Sequence, residues 1–347
     1  MGEKTRGTQA CVGYSTAQSY WRWVRTKIAE VNGGESSLLV RLLFEDEPAL
    51  DLSSYPEETD LSRAPAYSCL ESYDWLLELP WAGDAPELLV SSRRGRHALD
   101  DFHYRLMSNE YPAGSFMRIS EDLLVASPEL TFVQMCSRLS LAQCVAYGFE
   151  LCGYYTLESS ASDGFVASPP LTCVEKIRKY LASFDRKPGR RGNRMPRGSR
   201  KARAALELLV DYAASPREAQ LAMLLCMPQG LGGYGLPLPE LNGMIEIEGL
   251  RFCCDLVWRD ACVVVEYQGE QHFAGEVPTR DRRKRSALEA EGYFVLQVDH
   301  GVLRIREQMD LLAQSLAECL GVEQFERSGA YLKQQILLQE DVLSTWG

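Results

Sequence analysis

The chain has 347 residues, 46% of them hydrophobic, and a formal net charge of −11 at pH 7. This length and composition predict a globular protein with a sizeable core and two domains. No apolar run suggests a membrane span, and the eleven cysteines show no CxxC spacing. We therefore expect a cytoplasmic protein with reduced thiols rather than a disulfide framework.

Residues 1–175 are predicted to form an α+β domain. The segment 20–30 has the pattern of a helix that ends before Asn32 and two glycines. The sequence from Glu87 is typical of a strand, and Ser127-Pro128 has the pattern of a helix start after two short strands. These elements suggest no chemistry, so the role of this domain stays open.

A strongly basic segment follows, over residues 176–203. It holds twelve Lys or Arg against one acid, Asp185, which gives it a charge of +11 and leaves −22 for the rest of the chain. Its two Pro and three Gly favour a flexible linker over a helix. A cationic arm of this kind attracts phosphate backbones without reading sequence, although a solvated spacer between two acidic domains has the same composition. The candidate nucleic-acid-binding residues in it are Arg190, Arg191, Arg194 and Arg197.

Residues 204–321 are predicted to form an α/β domain, and residues 322–347 a helical tail. Strands over 243–248, 251–258 and 262–268 make a meander. A helix from 281 to 291 then leads to the strand YFVLQV, and a last helix covers 302–320. A strand–helix–strand unit predicts a parallel crossover, so this domain should be a mixed sheet flanked by helices.

The hairpin in this domain places acids in apolar strands. If its turn centres on Asp260 and Ala261, Asp255 lies opposite Glu266, with side chains starting about 5 Å apart on one face. Gln268 is two residues beyond Glu266 and shares that face. Two carboxylates this close repel each other unless a cation lies between them, and oxygen ligands suit Mg²⁺ or Mn²⁺.

Three further features of this domain have two interpretations each. Glu218 follows Ser215-Pro216-Arg217, so it is either the acid of a helix-capping box or a catalytic acid. His272, past the end of the third strand, is either a proton shuttle or a polar strand end. The start of the next helix is either a solvated surface or a phosphate contact, because basic residues are unfavourable at a helix N-terminus unless an external anion is present. Its candidate nucleic-acid-binding residues are Arg282, Arg283 and Lys284.

The pattern of Asp255, ten residues, Glu266-x-Gln268-Gly-x-x-His272 and then RDRRKRSALEAEGYFVLQV resembles the very-short-patch-repair-endonuclease-like branch of the PD-(D/E)XK nuclease superfamily. The resemblance covers roughly 206–320. It implies that Asp255 and Glu266 bind Mg²⁺, that Glu218 is an assisting helix acid, and that Gln268 occupies the position of the family's lysine. The upstream region loosely resembles AbiEi-related abortive-infection proteins.

The resemblance implies a metal-dependent DNA endonuclease that hydrolyses phosphodiesters in DNA repair or phage defence, with Mg²⁺ or Mn²⁺ as cofactor. In that reading Gln268 orients the water or the phosphate. The alternative is a catalytically degenerate nuclease fold that binds DNA, or a toxin partner in the manner of an antitoxin, without cutting. An RNA substrate is compatible with the same residues. A lysine or histidine that reaches the place of Gln268 in space would favour cleavage over binding.

Overall fold

The computed structural model describes residues 9–65, 73–92, 101–185, 195–268, 279–323 and 328–344. Its helices are α1 (Tyr14–Val31), α2 (Glu35–Phe44), α3 (Asp74–Leu77), α4 (Pro128–Cys136), α5 (Leu141–Cys152), α6 (Val174–Ser183), α7 (Ser199–Leu206), α8 (Pro216–Cys226), α9 (Thr279–Ala290), α10 (His300–Arg304), α11 (Arg306–Leu320) and α12 (Gly329–Ser344). Its strands are β1 (Ala10–Val12), β2 (Glu57–Glu58), β3 (Glu87–Val90), β4 (His103–Leu106), β5 (Phe116–Arg118), β6 (Leu123–Ala126), β7 (Tyr155–Leu157), β8 (Phe165–Ala167), β9 (Glu240–Ile247), β10 (Leu250–Trp258), β11 (Val263–Gln268) and β12 (Phe294–Asp299). None of the described helices has the length and apolarity that a bilayer span requires.

The chain forms two compact units, both of mixed α/β structure. Unit 1 comprises residues 1–34, 49–144 and 171–206, and unit 2 comprises residues 35–48, 145–170 and 207–347. The boundary between the predicted N-terminal and C-terminal domains therefore does not fall at one point in the chain, since two upstream segments belong to unit 2.

Unit 1 contains a six-stranded sheet in the order β2-β5-β6-β1-β3-β4. Strands β1, β3 and β6 are fully buried, and α1 and α4 pack together beside the sheet. Ser127 caps α4 through its side chain, with Pro128 in the first turn, as the sequence predicts.

The basic segment 176–203 differs from its prediction, because both of its described ends are helical. Residues 176–183 continue α6, which buries Ile177 and Leu181, and residues 199–203 begin α7, which buries Ala202. The apolar positions recur at helical spacing and bury one face, so the charges lie on the other. The composition concealed this periodicity. The middle of the segment, 186–194, lies outside the described residues.

Unit 2 contains a four-stranded sheet in the order β12-β11-β10-β9, together with the hairpin of β7 and β8. Strands β9, β10 and β11 are antiparallel, whereas β12 is parallel to β11 and follows α9 in the chain. The predicted meander and parallel crossover are confirmed. The core beneath α9 is formed by Ile245, Ile247, Cys254, Val257, Val264, Leu288 and Val295.

Candidate active site

The site is built on the antiparallel pair β10 and β11. Leu256 pairs with Val265, Val257 with Val264 and Trp258 with Val263, and Asp255 and Glu266 are the residues that follow this ladder on the two strands. The register predicted from the hairpin is confirmed. At that position the Asp255 carboxylate accepts a hydrogen bond from the backbone N–H of Tyr267 at 2.6 Å, which fixes the acid across the two strands.

Helix α9 adds a lysine to the two acids. Lys284 Nζ donates to Glu266 Oε2 at 2.6 Å and to the carbonyl of Cys253 at 2.5 Å. Its side chain is 19% exposed and that of Glu266 is 15% exposed, so the ion pair is largely removed from water. Leu288, one turn further along α9, is fully buried in the core against the sheet. Since residues four apart lie on one helix face, the packing of Leu288 directs Lys284 toward the acids.

Gln268 lies in the same cavity, as the strand alternation predicts. The cavity holds about 160 Å³, enough for an ion and several waters, and opens to solvent. It is lined by Asp255, Glu266, Tyr267, Gln268, Lys284, Arg285, Leu288, Val295 and Gln297. Two carboxylates, two cationic side chains and two amides therefore line a single space.

Glu218 caps its own helix, which confirms the capping-box interpretation. Ser215 Oγ accepts from the Glu218 N–H at 3.3 Å, while Glu218 accepts from the Ala214 N–H at 2.8 Å and from the Ser215 hydroxyl at 2.8 Å. Asn242 adds a further hydrogen bond to Glu218 Oε2 at 2.6 Å. The same carboxyl is close enough to Asp255 for the charge of Asp255 to raise its pKa. Glu218 therefore both caps α8 and lies near Asp255.

Burial and neighbouring negative charge disfavour the ionised forms of Glu218, Asp255 and Glu266. Burial, followed by the charge of Asp255, raises the pKa of Glu218 to about 8 and that of Glu266 to about 7. Burial also raises the pKa of Asp255, against the opposing charge of Lys284. Burial is the largest single effect on Lys284 and lowers its pKa, but the combined attractions of Glu266, Cys254 and Asp255 exceed it, so the pKa is raised. The charge of Lys284 offsets only part of the cost of burying Asp255 and Glu266.

The donor set at this position suits a divalent cation in part. Glu266 Oε1 is buried and has no hydrogen-bond partner among the described residues, so an oxygen ligand is available beside Asp255. Carboxylate oxygens and waters are the ligands that Mg²⁺ prefers. However, the described ranges contain no group of three His, Cys, Asp or Glu side chains arranged for a metal ion. An ion here would keep several waters, as Mg²⁺ sites commonly do.

No protein-family model, curated protein or solved structure matches the chain.

The remaining predicted residues are not brought into the cavity by the described structure. Arg282 and Arg283 are exposed on α9, and Arg197 is exposed in unit 1. His272, Arg190, Arg191 and Arg194 lie outside the described residues.

The sequence interpretation placed Lys284 among the phosphate contacts and missed its ion pair with Glu266. The signal was present in the spacing. Leu288 is an apolar residue in a charged helix, and the residue four positions before it is Lys284.

Proposed function

We propose that unit 2 is a metal-dependent phosphodiester hydrolase that acts on DNA, in the manner of the PD-(D/E)XK nucleases. The observation that carries the proposal is the position of Lys284, whose Nζ lies 2.6 Å from Glu266 in the cavity that also holds Asp255. Gln268 stands where the family has its lysine, and a lysine from α9 enters the same cavity. An activity of this kind would serve DNA repair or phage defence.

The side chains of the cavity have distinct roles in this proposal. Asp255 and Glu266 would hold Mg²⁺ or Mn²⁺, which when bound polarises the phosphoryl oxygen and lowers the pKa of a bound water. Lys284 stabilises the negative charge that develops on the phosphoryl group, because a preorganised cation in a partly dry cavity needs little reorganisation. Gln268 donates or accepts a hydrogen bond to orient the attacking water or the phosphate.

Glu218 is a positioning residue in this scheme. Its hydrogen bonds tie the first turn of α8 to Asn242, and its carboxyl faces the charge of Asp255. Arg282 and Arg283, exposed on the same helix as Lys284, would contact the phosphate backbone that leads into the cavity.

A second candidate is a nuclease fold that binds DNA or a protein toxin without cutting. It is favoured by the absence of a three-residue metal group in the described ranges and by the ion pair of Lys284 with Glu266, which partly neutralises the site without a metal. The two candidates differ in whether Asp255 is needed for a chemical step.

The test is a cleavage assay on supercoiled plasmid with Mg²⁺, Mn²⁺ or EDTA, with a single-stranded RNA assayed in parallel. We expect nicking with either metal, none in EDTA, and none with the Asp255→Asn variant. Asp260→Asn is the matched control, because Asp260 is exposed in the turn of the same hairpin. A wild-type protein that binds DNA but never cuts it would support the binding candidate, and cleavage of RNA alone would reassign the substrate.

A further inference from the structure

Two tyrosines of unit 2 form a stacked pair. The rings of Tyr154 and Tyr212 have centroids 5.3 Å apart and planes inclined by 18°. This is an offset-stacked arrangement, which is favourable for aromatic rings. Tyr154 follows α5, and Tyr212 lies between α7 and α8, so the pair joins segments that are far apart in the chain.

The backbone holds the two rings side by side. The N–H of Tyr212 donates to the carbonyl of Cys152 at 3.0 Å, and the N–H of Tyr154 donates to the carbonyl of Ala213 at 2.7 Å. Gly153 lies between these two hydrogen bonds. A Cβ added at Gly153 would lie 2.6 Å from the Ala213 carbonyl oxygen, which is closer than Cβ atoms approach. The absence of a side chain at Gly153 therefore permits the contact that sets the rings together.

Tyr212 has a backbone conformation that is costly for its residue type. Its φ is +74°, in the left-handed region that favours glycine or asparagine. Such a conformation costs a bulky residue about 1 kcal/mol or more. The residue is nevertheless 46% exposed, so burial does little to offset the strain. The exposed ring of Tyr212 is therefore held in place despite an unfavourable backbone conformation.

Asn242 joins the stacked pair to Glu218, the acid whose pKa the charge of Asp255 raises. The side-chain amide of Asn242 donates to the carbonyl of Tyr212 at 2.9 Å and to Glu218 Oε2 at 2.6 Å. Tyr154 is close enough to Cys253, two residues before Asp255 on β10, for the two groups to interact electrostatically. Hydrogen bonds through Asn242 thus connect Tyr212 to Glu218, and Tyr154 lies near the strand that carries Asp255.

The chemistry around the pair suits a neutral aromatic ligand. Burial, then Tyr212, Cys253 and the negative charge of Asp211, raise the pKa of Tyr154 to about 12, so its phenol is neutral at pH 7. The charge of Asp211 favours a neutral group over an anionic one against the rings themselves. A nucleobase is neutral and has a π-face that stacks on tyrosine regardless of its identity.

We propose that Tyr154 and Tyr212 form a stacking platform for an unpaired nucleobase next to the scissile phosphate. The position of the platform next to a scissile phosphate rests on the proposed nuclease function. The platform implies a substrate class for that function, namely nucleic acid with bases out of the helix, such as single strands, flaps or mismatches. A base inside a duplex does not expose a face to the platform.

The test measures binding without cleavage. Fluorescein-labelled single-stranded oligonucleotides are titrated with full-length protein in EDTA, and affinity is read by anisotropy. One oligonucleotide carries normal bases, a second has the same backbone with abasic positions, and a third is a fully paired duplex. The variants are Tyr212→Ala, Tyr212→Phe and, as a control, Phe294→Ala, which removes an aromatic ring that is 49% exposed on β12.

We expect Tyr212→Ala to weaken binding of the normal single strand by about 5- to 100-fold, the usual effect of removing one stacked base contact. Tyr212→Phe keeps the ring and should stay within about 2-fold of wild type, as should Phe294→Ala. Tyr212→Ala should leave the affinity for the abasic oligonucleotide unchanged, because that oligonucleotide already lacks the base that stacks on Tyr212. Gly153→Ala, which displaces the pair while keeping both rings, should reproduce part of the loss.

Equal affinities of Tyr212→Ala and Phe294→Ala for the normal single strand would overturn the platform, and so would a wild-type protein that prefers the duplex. The two proposals fail separately. Tyr212-dependent binding in a protein that never cuts supports the platform and refutes the nuclease. Metal-dependent cleavage combined with binding that is unaffected by Tyr212→Ala supports the nuclease and refutes the platform.

Discussion

Replacing Lys284 with Met separates the catalytic and structural contributions of this side chain. Methionine keeps an unbranched apolar chain of similar length and removes the ammonium group. The Glu266 carboxylate then stays buried without its cation, and the carbonyl of Cys253 loses its donor.

The expected magnitudes follow from the burial of the pair. Breaking a buried ion pair by removing one partner costs about 3–5 kcal/mol. The two side chains here are 19% and 15% exposed, which lowers the expected loss of unfolding free energy to about 2–4 kcal/mol. Loss of a preorganised group that stabilises transition-state charge lowers the cleavage rate by about 100- to 1000-fold.

The pH dependence of the loss has a definite sign. The pKa of Glu266 is raised from 4.5 to about 7, so the unfolding free energy falls as pH rises between these two values and the carboxyl ionises. Removal of Lys284 raises this pKa further. The variant should therefore lose more stability at pH 8 than at pH 5.5, where a proton on Glu266 replaces the missing cation.

The assay combines urea denaturation in EDTA with plasmid cleavage in Mg²⁺. Lys333→Met is the matched control, because Lys333 is exposed on α12, and it should change the unfolding free energy by less than about 0.5 kcal/mol. The double variant Lys284→Met with Glu266→Gln should recover most of the stability, since both partners become neutral, and stay inactive. A folded Lys284→Met protein that cuts as fast as Lys333→Met would refute the catalytic role.

Three other outcomes are expected. Asp255→Asn should raise the unfolding free energy in EDTA by about 1–2 kcal/mol, because it relieves the repulsion among the acids, whereas Asp260→Asn should not. A lower unfolding free energy for Asp255→Asn would contradict this. Burial alone would raise the pKa of Glu87, but hydrogen bonds from Arg138, Ser15 and Arg105 lower it to about 2. Glu87→Gln should therefore lower the unfolding free energy at pH 7 by about 2–3 kcal/mol, measured by urea denaturation. The difference from wild type should vanish as pH falls from about 4.5 toward 2. Replacing Arg282 and Arg283 with Gln should lower the cleavage rate more than DNA affinity, and filter binding beside cleavage across a salt series would show an equal loss if the two residues only attract DNA.

The hairpin and the crossover could be predicted because their determinants are local. The apolar run of β11, the polar turn before it and the spacing from Asp255 to Glu266 fix one register, and a shift by one residue would put the acids on opposite faces. Capping at Ser215 and Ser127 is equally local. Each of these features is determined by a few neighbouring residues, so it can be predicted from the sequence.

Other features depend on contacts that no local pattern encodes. The pairing of Tyr154 with Tyr212 depends on hydrogen bonds between segments about 60 residues apart. The order of the six strands in unit 1 is likewise set by packing among non-consecutive elements. The basic segment was misinterpreted for another reason: its charge and glycine content outweighed the apolar residues at helical spacing that α6 and α7 bury.

The contacts of Lys284 have a consequence for evolution. Because the ammonium group joins α9 to β10 and β11, a lineage that no longer needed cleavage would still lose folded protein if it lost this lysine. Selection for abundance alone would therefore preserve Lys284. Among descendants of this chain, retention of the lysine would not distinguish active from inactive members, whereas Asp255, whose charge opposes folding, would be free to disappear once cleavage was no longer selected.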